Sequence, residues 1–221
     1  LSEDILNACR ETGYKLPGVG RHCTMGVDVG KVLNVRISNW VKDGTTWKKV
    51  ARYIATVPDF GDLDRLMQQY DVDLAVVDAL PETKSATAFA ERHAGRVFLA
   101  YYNVPVTSKE YTIWDDDARV VRVQRTLAMA GVMERYICRG IVLPESAEVI
   151  PDLYEQMKAP KRVLKRDERT GNPVYVFMED GKPDHYFHAE VYDDVAGSRW
   201  IERRPADPAA LAILRGLKVH G

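Results

Sequence analysis

The chain contains little cysteine, no membrane-length apolar run and almost no net charge, and each of these shortages excludes a class of protein. Its 221 residues include three cysteines, Cys9, Cys23 and Cys138, and no two of them form a CxxC pair. Neither a structural zinc site nor a disulfide framework is therefore indicated. No apolar run approaches the roughly 20 residues that a membrane-spanning helix needs, so we expect a cytoplasmic protein without a membrane partner. A GxxxxGK[ST] phosphate loop is also missing, and we expect no ATP hydrolysis by this part of the chain.

The formal net charge of −1 gives no overall basic excess of the kind that a dedicated DNA-binding protein usually has. The charges are unevenly placed, however. A basic run extends over residues 158–169, and acidic clusters lie at Asp115–Asp117 and Asp193–Asp194. Such runs are most often solvated surfaces, which is what we expect for all three. The basic run also permits a local strip that binds phosphate.

The chain divides into a predicted lead-in, one globular domain and a tail. It begins at Leu1 instead of Met, and residues 1–22 show no sustained periodicity beyond a possible short helix. We interpret residues 1–22 as a linker from a missing upstream domain and 23–200 as the globular domain. Residues 201–221 are predicted to be a C-terminal tail with room for one short helix over 208–217.

The first part of the domain predicts an antiparallel meander of three strands over residues 24–29, 32–41 and 47–56. Helices and strands then alternate. Helices are predicted at 59–70, 82–93, 126–138, 151–157 and from 184 to about 195, and strands at 73–78, 96–102, 119–123 and 141–144, with a two-stranded ribbon at 161–166 and 173–178. This order indicates an α/β fold in which helices flank a mixed sheet, as in RNase H-like folds.

Two aspartates stand where predicted strands end, and a third stands where the last helix begins. Asp28 lies inside the strand MGVDVG, where an unpaired carboxylate is costly to bury. Asp78 ends the apolar strand LAVVD, at the edge where α/β sheets usually present ligands. If these strands are neighbours, the two carboxylates converge. Asp184, with His188 one helical turn later, can face the same point.

Three carboxylates at one point repel each other unless cations neutralise them or protons raise their pKa values. Oxygen ligands favour Mg²⁺ or Mn²⁺ over zinc, and two such ions roughly 3.5–4 Å apart clamp the attacking and leaving oxygens of a phosphodiester. These residues therefore predict hydrolysis by metal-activated water. His188 is a further candidate ligand or proton shuttle, and its alternative is a helix-surface histidine bonded to water.

Each of the three aspartates also has a purely structural interpretation. Asp28 can pair with Lys31 or Arg36, Asp78 can start the helix that follows it, and Asp184 is a favourable N-cap for its own helix. Taken singly, the residues leave these alternatives open. The position of all three at strand ends or a helix start is what favours a shared metal site.

Four stretches of sequence carry a resemblance to a known family. They are MGVDVG, LAVVDALP, RTLAMAGVMERYICRGIVLP and KPDHYFHAEVYDDVA, within residues 25–196. The most specific is the last, an Asp-His-x-x-His-Ala-x-x-Tyr pattern that begins at Asp184. Together they resemble the C-terminal nuclease domain of bacteriophage large terminase subunits, in which Asp often stands at the position of His188.

The resemblance implies an RNase H-like domain in which Asp28, Asp78 and Asp184 bind two Mg²⁺ or Mn²⁺ ions. Enzymes of that family cut concatemeric double-stranded DNA during genome packaging in the host cytoplasm, and an ATPase domain precedes the nuclease domain. The portal and the small terminase subunit are further implied partners. The predicted ribbon resembles a β-hairpin near the DNA groove, where basic residues would contact phosphate oxygens without reading sequence. Those residues are Lys161, Arg162, Lys165, Arg166 and Arg169.

Two other functions stay open on the sequence alone. The same fold would serve a junction resolvase or a nuclease that acts on RNA–DNA hybrids. A chain with vestigial carboxylates would instead be a non-catalytic docking module of the packaging machinery. Plasmid, junction and hybrid substrates tested side by side distinguish the catalytic alternatives.

Overall fold

Eleven strands and six α-helices form in the part of the chain that the computed structural model describes, residues 1–167, 170–178 and 181–204. The strands are β1 (Arg10–Glu11), β2 (Cys23–Val29), β3 (Leu33–Asp43), β4 (Thr46–Val57), β5 (Val72–Asp78), β6 (Val97–Tyr101), β7 (Thr112–Asp115), β8 (Val120–Val123), β9 (Ile141–Pro144), β10 (Lys161–Arg166) and β11 (Pro173–Met178). The helices are α1 (Glu3–Ala8), α2 (Phe60–Gln69), α3 (Thr83–Arg92), α4 (Arg125–Ile137), α5 (Leu153–Lys158) and α6 (His185–Glu202).

Strands β1 to β9 form one mixed sheet in the order β1-β9-β4-β3-β2-β5-β6-β8-β7. β2, β3 and β4 form the predicted antiparallel meander, and β2, β5, β6 and β8 are paired in parallel. β10 and β11 form a separate antiparallel ribbon. The predicted α/β fold, a mixed sheet flanked by helices, is therefore confirmed.

The centre of the sheet is covered on both faces, which explains why all seven residues of β2 are buried. Helices α4 and α6 contribute to the core on one face, and α2 and α3 contribute to the core on the other. Each fully buried large apolar side chain stabilises the fold by about 1.5–3 kcal/mol. An unbroken apolar strand such as β5 is the sequence pattern that such two-sided burial requires.

Helix α6 lies directly on β2 because two glycines leave no side chain in the way. A Cβ atom on Gly26 of β2 would overlap the carbonyl oxygen of Ala189 and the amide nitrogen of Asp193. A Cβ atom on Gly197 of α6 would overlap the indole of Trp40 in β3. Only residues without a Cβ atom allow so close an approach. The contact brings the start of α6 to the carboxyl end of β2.

Buried charges fix the same helix to the meander. The Nζ atom of Lys49 lies 2.6 Å from Oε1 of Glu190 and 3.0 Å from Oδ2 of Asp193. The Nε atom of Arg36 lies 3.1 Å from Oε2 of Glu190. Burial opposes the charge of Glu190, but Arg36 and Lys49 outweigh it and lower the pKa of this carboxyl. Removing one partner would leave an uncompensated buried charge, which is strongly destabilising.

The expectation that Asp193–Asp194 forms a solvated surface is wrong. Both carboxylates are buried, since Asp193 pairs with Lys49 and Asp194 accepts a hydrogen bond of 2.7 Å from Nε of Arg135. Consecutive acidic residues usually point to solvent. The cations that pair with these two, Lys49 and Arg135, are distant in sequence, so a local pattern could not predict them. Asp115–Asp117 are exposed, as expected.

Residues 1–22, which were predicted to be a linker, contain a helix and a strand. The possible short helix is present as α1, which buries Leu6 in the core, and β1 pairs in parallel with β9. The stretch between the strands predicted at 96–102 and 119–123 contains a further strand, β7, which pairs with β8. No helix in the described part of the chain is both long and apolar enough to cross a bilayer.

Helix α6 continues to Glu202 instead of ending near Val195, so the tail predicted from residue 201 begins inside a helix. Trp200 and Val195 belong to the core, which explains the extension. Residues 205–221, including the short helix predicted at 208–217, lie outside the described residues.

Replacing Gly26 by alanine should destabilise the protein by about 3 kcal/mol or more, because the added methyl group forces α6 away from β2. Gly131→Ala in α4 is the matched control, since a Cβ atom there meets nothing within 4 Å. Alanine is favoured over glycine in a helix by roughly 0.5–1 kcal/mol, so the control should be slightly stabilised. Denaturant unfolding measures both values, and equal stability of the two variants would contradict the close packing of α6 on β2.

Candidate active site

Asp28 and Asp78 lie at the carboxyl ends of neighbouring parallel strands. The register of β2 and β5 pairs Val27 with Val77, so the two aspartates come next in each strand. Asp28 is buried, with 6% of its surface exposed, and Asp78 is half-buried. The predicted convergence of these two residues is therefore present in the structure.

The electrostatics of Asp78 reflect this crowding. Burial raises the pKa of its carboxyl above the ordinary value, and the nearby Asp28 raises it further. The backbone amide of Leu80, 3.1 Å from Oδ1, and the hydroxyl of Tyr192 donate to the carboxylate and only partly oppose this shift. Ionisation of Asp78 therefore lowers the free energy of unfolding unless a cation lies close to its carboxylate.

Asp184 immediately precedes α6, at the N-cap position, but its side chain does not cap the helix. Its Oδ2 atom instead lies 3.3 Å from Nε2 of His188. The neighbouring His185 places its Nδ1 atom 2.8 Å from Oδ2 of Asp28. Asp184 and His185 are adjacent in the chain, so the start of α6 links Asp184 to Asp28.

The two histidines affect the carboxyl groups that they face. Burial works to raise the pKa of Asp184, but its hydrogen bond with His188 and the positive charges of His188 and Arg125 lower it below the ordinary value. The hydrogen bond to Asp28 raises the pKa of His185, against the opposing effect of burial. In this structure the imidazole of His185 therefore faces Asp28, and that of His188 faces Asp184.

The donor set fits divalent cations in its chemistry. Asp28, Asp78 and Asp184 offer oxygen ligands, and the mutual repulsion of Asp28 and Asp78 is what a doubly charged ion relieves. Among the described residues, no three histidine, cysteine or acidic side chains already have the spacing of a metal site. Asp28 instead pairs with His185, and Asp184 pairs with His188.

A cavity of about 340 Å³ lies beside these groups. Asp184, His185 and His188 line one part of it, and Arg125 and Lys182 line another. Acidic and basic side chains therefore share one depression in the surface. Such a cavity can hold a phosphate group beside carboxylate-bound cations.

The structure also decides between the alternatives for single residues. Asp28 pairs with His185, whereas Arg36 pairs with Glu190. Asp78 does make a local turn bond, to Leu80. Asp184 is not a side-chain cap, and His188 is not a surface histidine, since only 8% of it is exposed.

Two tyrosines lie at the site although neither is among the predicted site residues. The hydroxyl of Tyr102 lies 2.9 Å from Nδ1 of His188, and the ring of Tyr102 stacks on that of Tyr192 with centroids 5.5 Å apart. Tyr192 is the last residue of the Asp-His-x-x-His-Ala-x-x-Tyr pattern, but no role at the site was predicted for it. Tyr102 follows the end of β6, and its place beside the ends of β2 and β5 was the signal that could have revealed it.

The ribbon of β10 and β11 lies next to the cavity. Phe177 is buried in the core and holds the ribbon to the domain, while Met178 lines the cavity. The guanidinium of Arg162 lies 4.5 Å from the ring centroid of Tyr175. The predicted DNA-binding residues that are described are all exposed: Lys161, Arg162, Lys165 and Arg166. Arg169 lies outside the described residues.

Comparison by sequence finds no matching protein-family model and no matching curated protein. Among solved structures, the nuclease domain of the large terminase subunit of bacterial virus Sf6 is similar at a TM-score of 0.54 and 12% identity, over 93% of this chain and 99% of that chain. Mutants of that domain with calcium and with manganese are similar at TM-scores of 0.55 and 0.54, each at 12% identity over 87% of this chain and 97% of that chain. At such identity the likeness shows the fold. The predicted resemblance to terminase nuclease domains is thereby confirmed for the fold.

Asp78→Asn should stabilise the metal-free protein near neutral pH, raising the midpoint of thermal unfolding by a few degrees. The folded-state pKa of Asp78 is raised, so its ionisation costs stability above that pKa, and stability returns as pH falls through it. The difference between variant and wild type should therefore shrink on acidification. Asp117→Asn, at an exposed carboxylate, is the control and should change little. A destabilised Asp78→Asn protein with unchanged Asp117→Asn would contradict the crowding of Asp28 and Asp78.

Proposed function

We propose that this chain is a metal-dependent endonuclease that hydrolyses phosphodiester bonds of double-stranded DNA. One observation carries the proposal: Asp28 and Asp78 end neighbouring strands, and His185, which pairs with Asp28, lines with Asp184 a cavity that also has cationic side chains on its wall. In this proposal, Asp28, Asp78 and Asp184 hold two Mg²⁺ or Mn²⁺ ions. The ions, when bound, supply an activated water and stabilise the charge on the attacking and leaving oxygens.

The protein would hold the metal-binding carboxylates rigidly in place and would favour a negatively charged substrate. Asp28 and Asp78 extend from central strands of the sheet, where neighbouring strands fix the backbone. Arg125 and Lys182 stand on the cavity wall, where they favour a phosphate oxygen. His185 is exposed and pairs with Asp28, so it is the group that competes with a cation for that carboxylate.

The exposed basic ribbon supports double-stranded DNA as the substrate. Its side chains would contact phosphates beside the cavity without reading the base sequence. Because the chain as a whole carries a net charge of −1, its isolated affinity for DNA should be weak and strongly dependent on salt. A packaging assembly that holds the DNA close would compensate for the weak binding.

We further propose that the cleavage serves viral genome packaging, as the cutting of concatemeric DNA in the host cytoplasm. The support is the shared fold with the terminase nuclease domain of bacterial virus Sf6. The nuclease domain would then include α1 and β1 as well as α6 to its end at Glu202. An upstream ATPase domain would precede it, and the portal and small terminase subunit would be its partners. A junction resolvase, a hybrid nuclease and a docking module are outcomes of the tests below.

Asp28→Asn and Asp78→Asn should each reduce cleavage of supercoiled plasmid in Mn²⁺ to the level seen without metal, because each removes a ligand charge. Circular dichroism should be unchanged in both variants, and Asp117→Asn should cleave like the wild type. In addition, Mn²⁺ should raise the melting temperature of the wild type but not of Asp78→Asn. Cleavage by Asp28→Asn at the wild-type rate would remove that residue from the site.

The same assay separates the competing functions. Faster cleavage of a four-way junction or an RNA–DNA hybrid than of linear duplex would overturn the packaging proposal while keeping the catalytic one. Absence of both cleavage and Mn²⁺-dependent stabilisation in the wild type would favour the docking module.

Lys165→Ala and Arg166→Ala should each weaken binding of the chain to duplex DNA about equally for all base sequences. Each should also reduce the slope of log affinity against log salt by about one, since each removes one phosphate contact. Lys48→Ala is the matched control, because Lys48 lies near the β3–β4 turn, at the opposite end of the meander from Asp28. Fluorescence anisotropy over a range of salt concentrations measures both effects. An equal loss in Lys48→Ala would show that the ribbon has no special part in binding.

A further inference from the structure

A line of hydrogen bonds runs from Tyr102 through His188 to Asp184. The Tyr102 hydroxyl lies 2.9 Å from Nδ1 of His188, and Nε2 of the same ring lies 3.3 Å from Oδ2 of Asp184. Both ring nitrogens of His188 are therefore engaged. The three residues come from the end of β6, the start of α6 and its second turn, so the fold alone brings them together.

The chemistry of the end groups fixes the direction of both bonds. Burial raises the pKa of the Tyr102 phenol far above its ordinary value, so the hydroxyl keeps its proton and can donate it to Nδ1. A carboxylate offers only acceptor oxygens, so the proton between Oδ2 of Asp184 and Nε2 of His188 belongs to Nε2. A neutral His188 must then carry its proton on Nε2, facing Asp184.

We propose that Tyr102 is a positioning residue, whose hydroxyl fixes the tautomer and orientation of His188 so that His188 holds the Asp184 carboxylate at the cavity. This inference rests on the proposed function, because it assigns Asp184 the task of a ligand. His188 then acts on the metal ligand Asp184 and is not itself a ligand. Hydrogen-bonded partners of this kind commonly orient metal-binding side chains.

The surroundings of Tyr102 hold its ring in place. It stacks on Tyr192 at an interplanar angle of 22°, and the guanidinium of Arg125 lies 5.9 Å from its ring centroid. Tyr192 is buried, and its hydroxyl donates to Asp78. One stacked pair of aromatic rings thus supports carboxylates on two different elements, Asp78 directly and Asp184 through His188.

The test compares Tyr102→Phe with Tyr101→Phe in the full 221-residue chain. Both changes remove one hydroxyl and keep the ring, but Tyr101 packs against the core on the other face of the sheet. Tyr102→Phe should raise the Mn²⁺ concentration for half-maximal plasmid cleavage roughly 10-fold, with little change in the rate at saturating Mn²⁺. Tyr101→Phe should match the wild type.

A second readout needs neither metal nor activity. Nitrogen-15 spectra of the metal-free wild type at mildly alkaline pH should show His188 protonated on Nε2, and Tyr102→Phe should show a mixture of tautomers. A wild-type His188 protonated on Nδ1, or an unchanged tautomer in folded Tyr102→Phe, would overturn the inference. An unchanged Mn²⁺ requirement in Tyr102→Phe would do the same. Loss of the proposed nuclease function would appear separately, as no Mn²⁺-dependent cleavage in the wild type.

Discussion

The contact of α6 with β2 is the constraint on which the site depends. Because Gly26 has no side chain, the helix backbone reaches the strand, and the helix begins at the carboxyl end of the strand. This packing places Asp184 and His185 at the end of β2 that contains Asp28. A helix held several ångströms further out would leave Asp28 without its partner His185.

Helix α6 takes part in two kinds of contact with buried acids, and the partners of these acids differ in a way that matters for function. Glu190 and Asp193 pair with Lys49 and Arg36, whose side chains are buried in the core. At the other end, Asp28 pairs with the exposed His185. An imidazole can lose its proton near neutral pH and give way to a cation. The ion pairs of Glu190 and Asp193 are suited to stabilise the fold. The pair of Asp28 with His185 is suited to open when a cation binds to Asp28.

Local patterns were enough for the framework of the fold and for the placement of Asp28 and Asp78 on neighbouring strands. The meander, the apolar strand ending at Asp78 and the basic ribbon all follow from periodicity and turn residues, and their bounds in the structure differ by a few residues at most. The buried ion pairs of Asp193–Asp194 and the contact of Tyr102 with His188 could not be predicted, because their partners are distant in sequence. Charge and aromaticity alone do not tell whether such a residue faces solvent or the core.

The central claim is that Asp28, Asp78 and Asp184 share divalent cations. A crystal of the chain soaked in Mn²⁺ and measured at the manganese absorption edge tests it most directly. The account predicts anomalous peaks within bonding distance of carboxylate oxygens from all three residues, with His188 still bonded to Tyr102. Peaks that lie elsewhere on the surface, or none at these carboxylates, would contradict it.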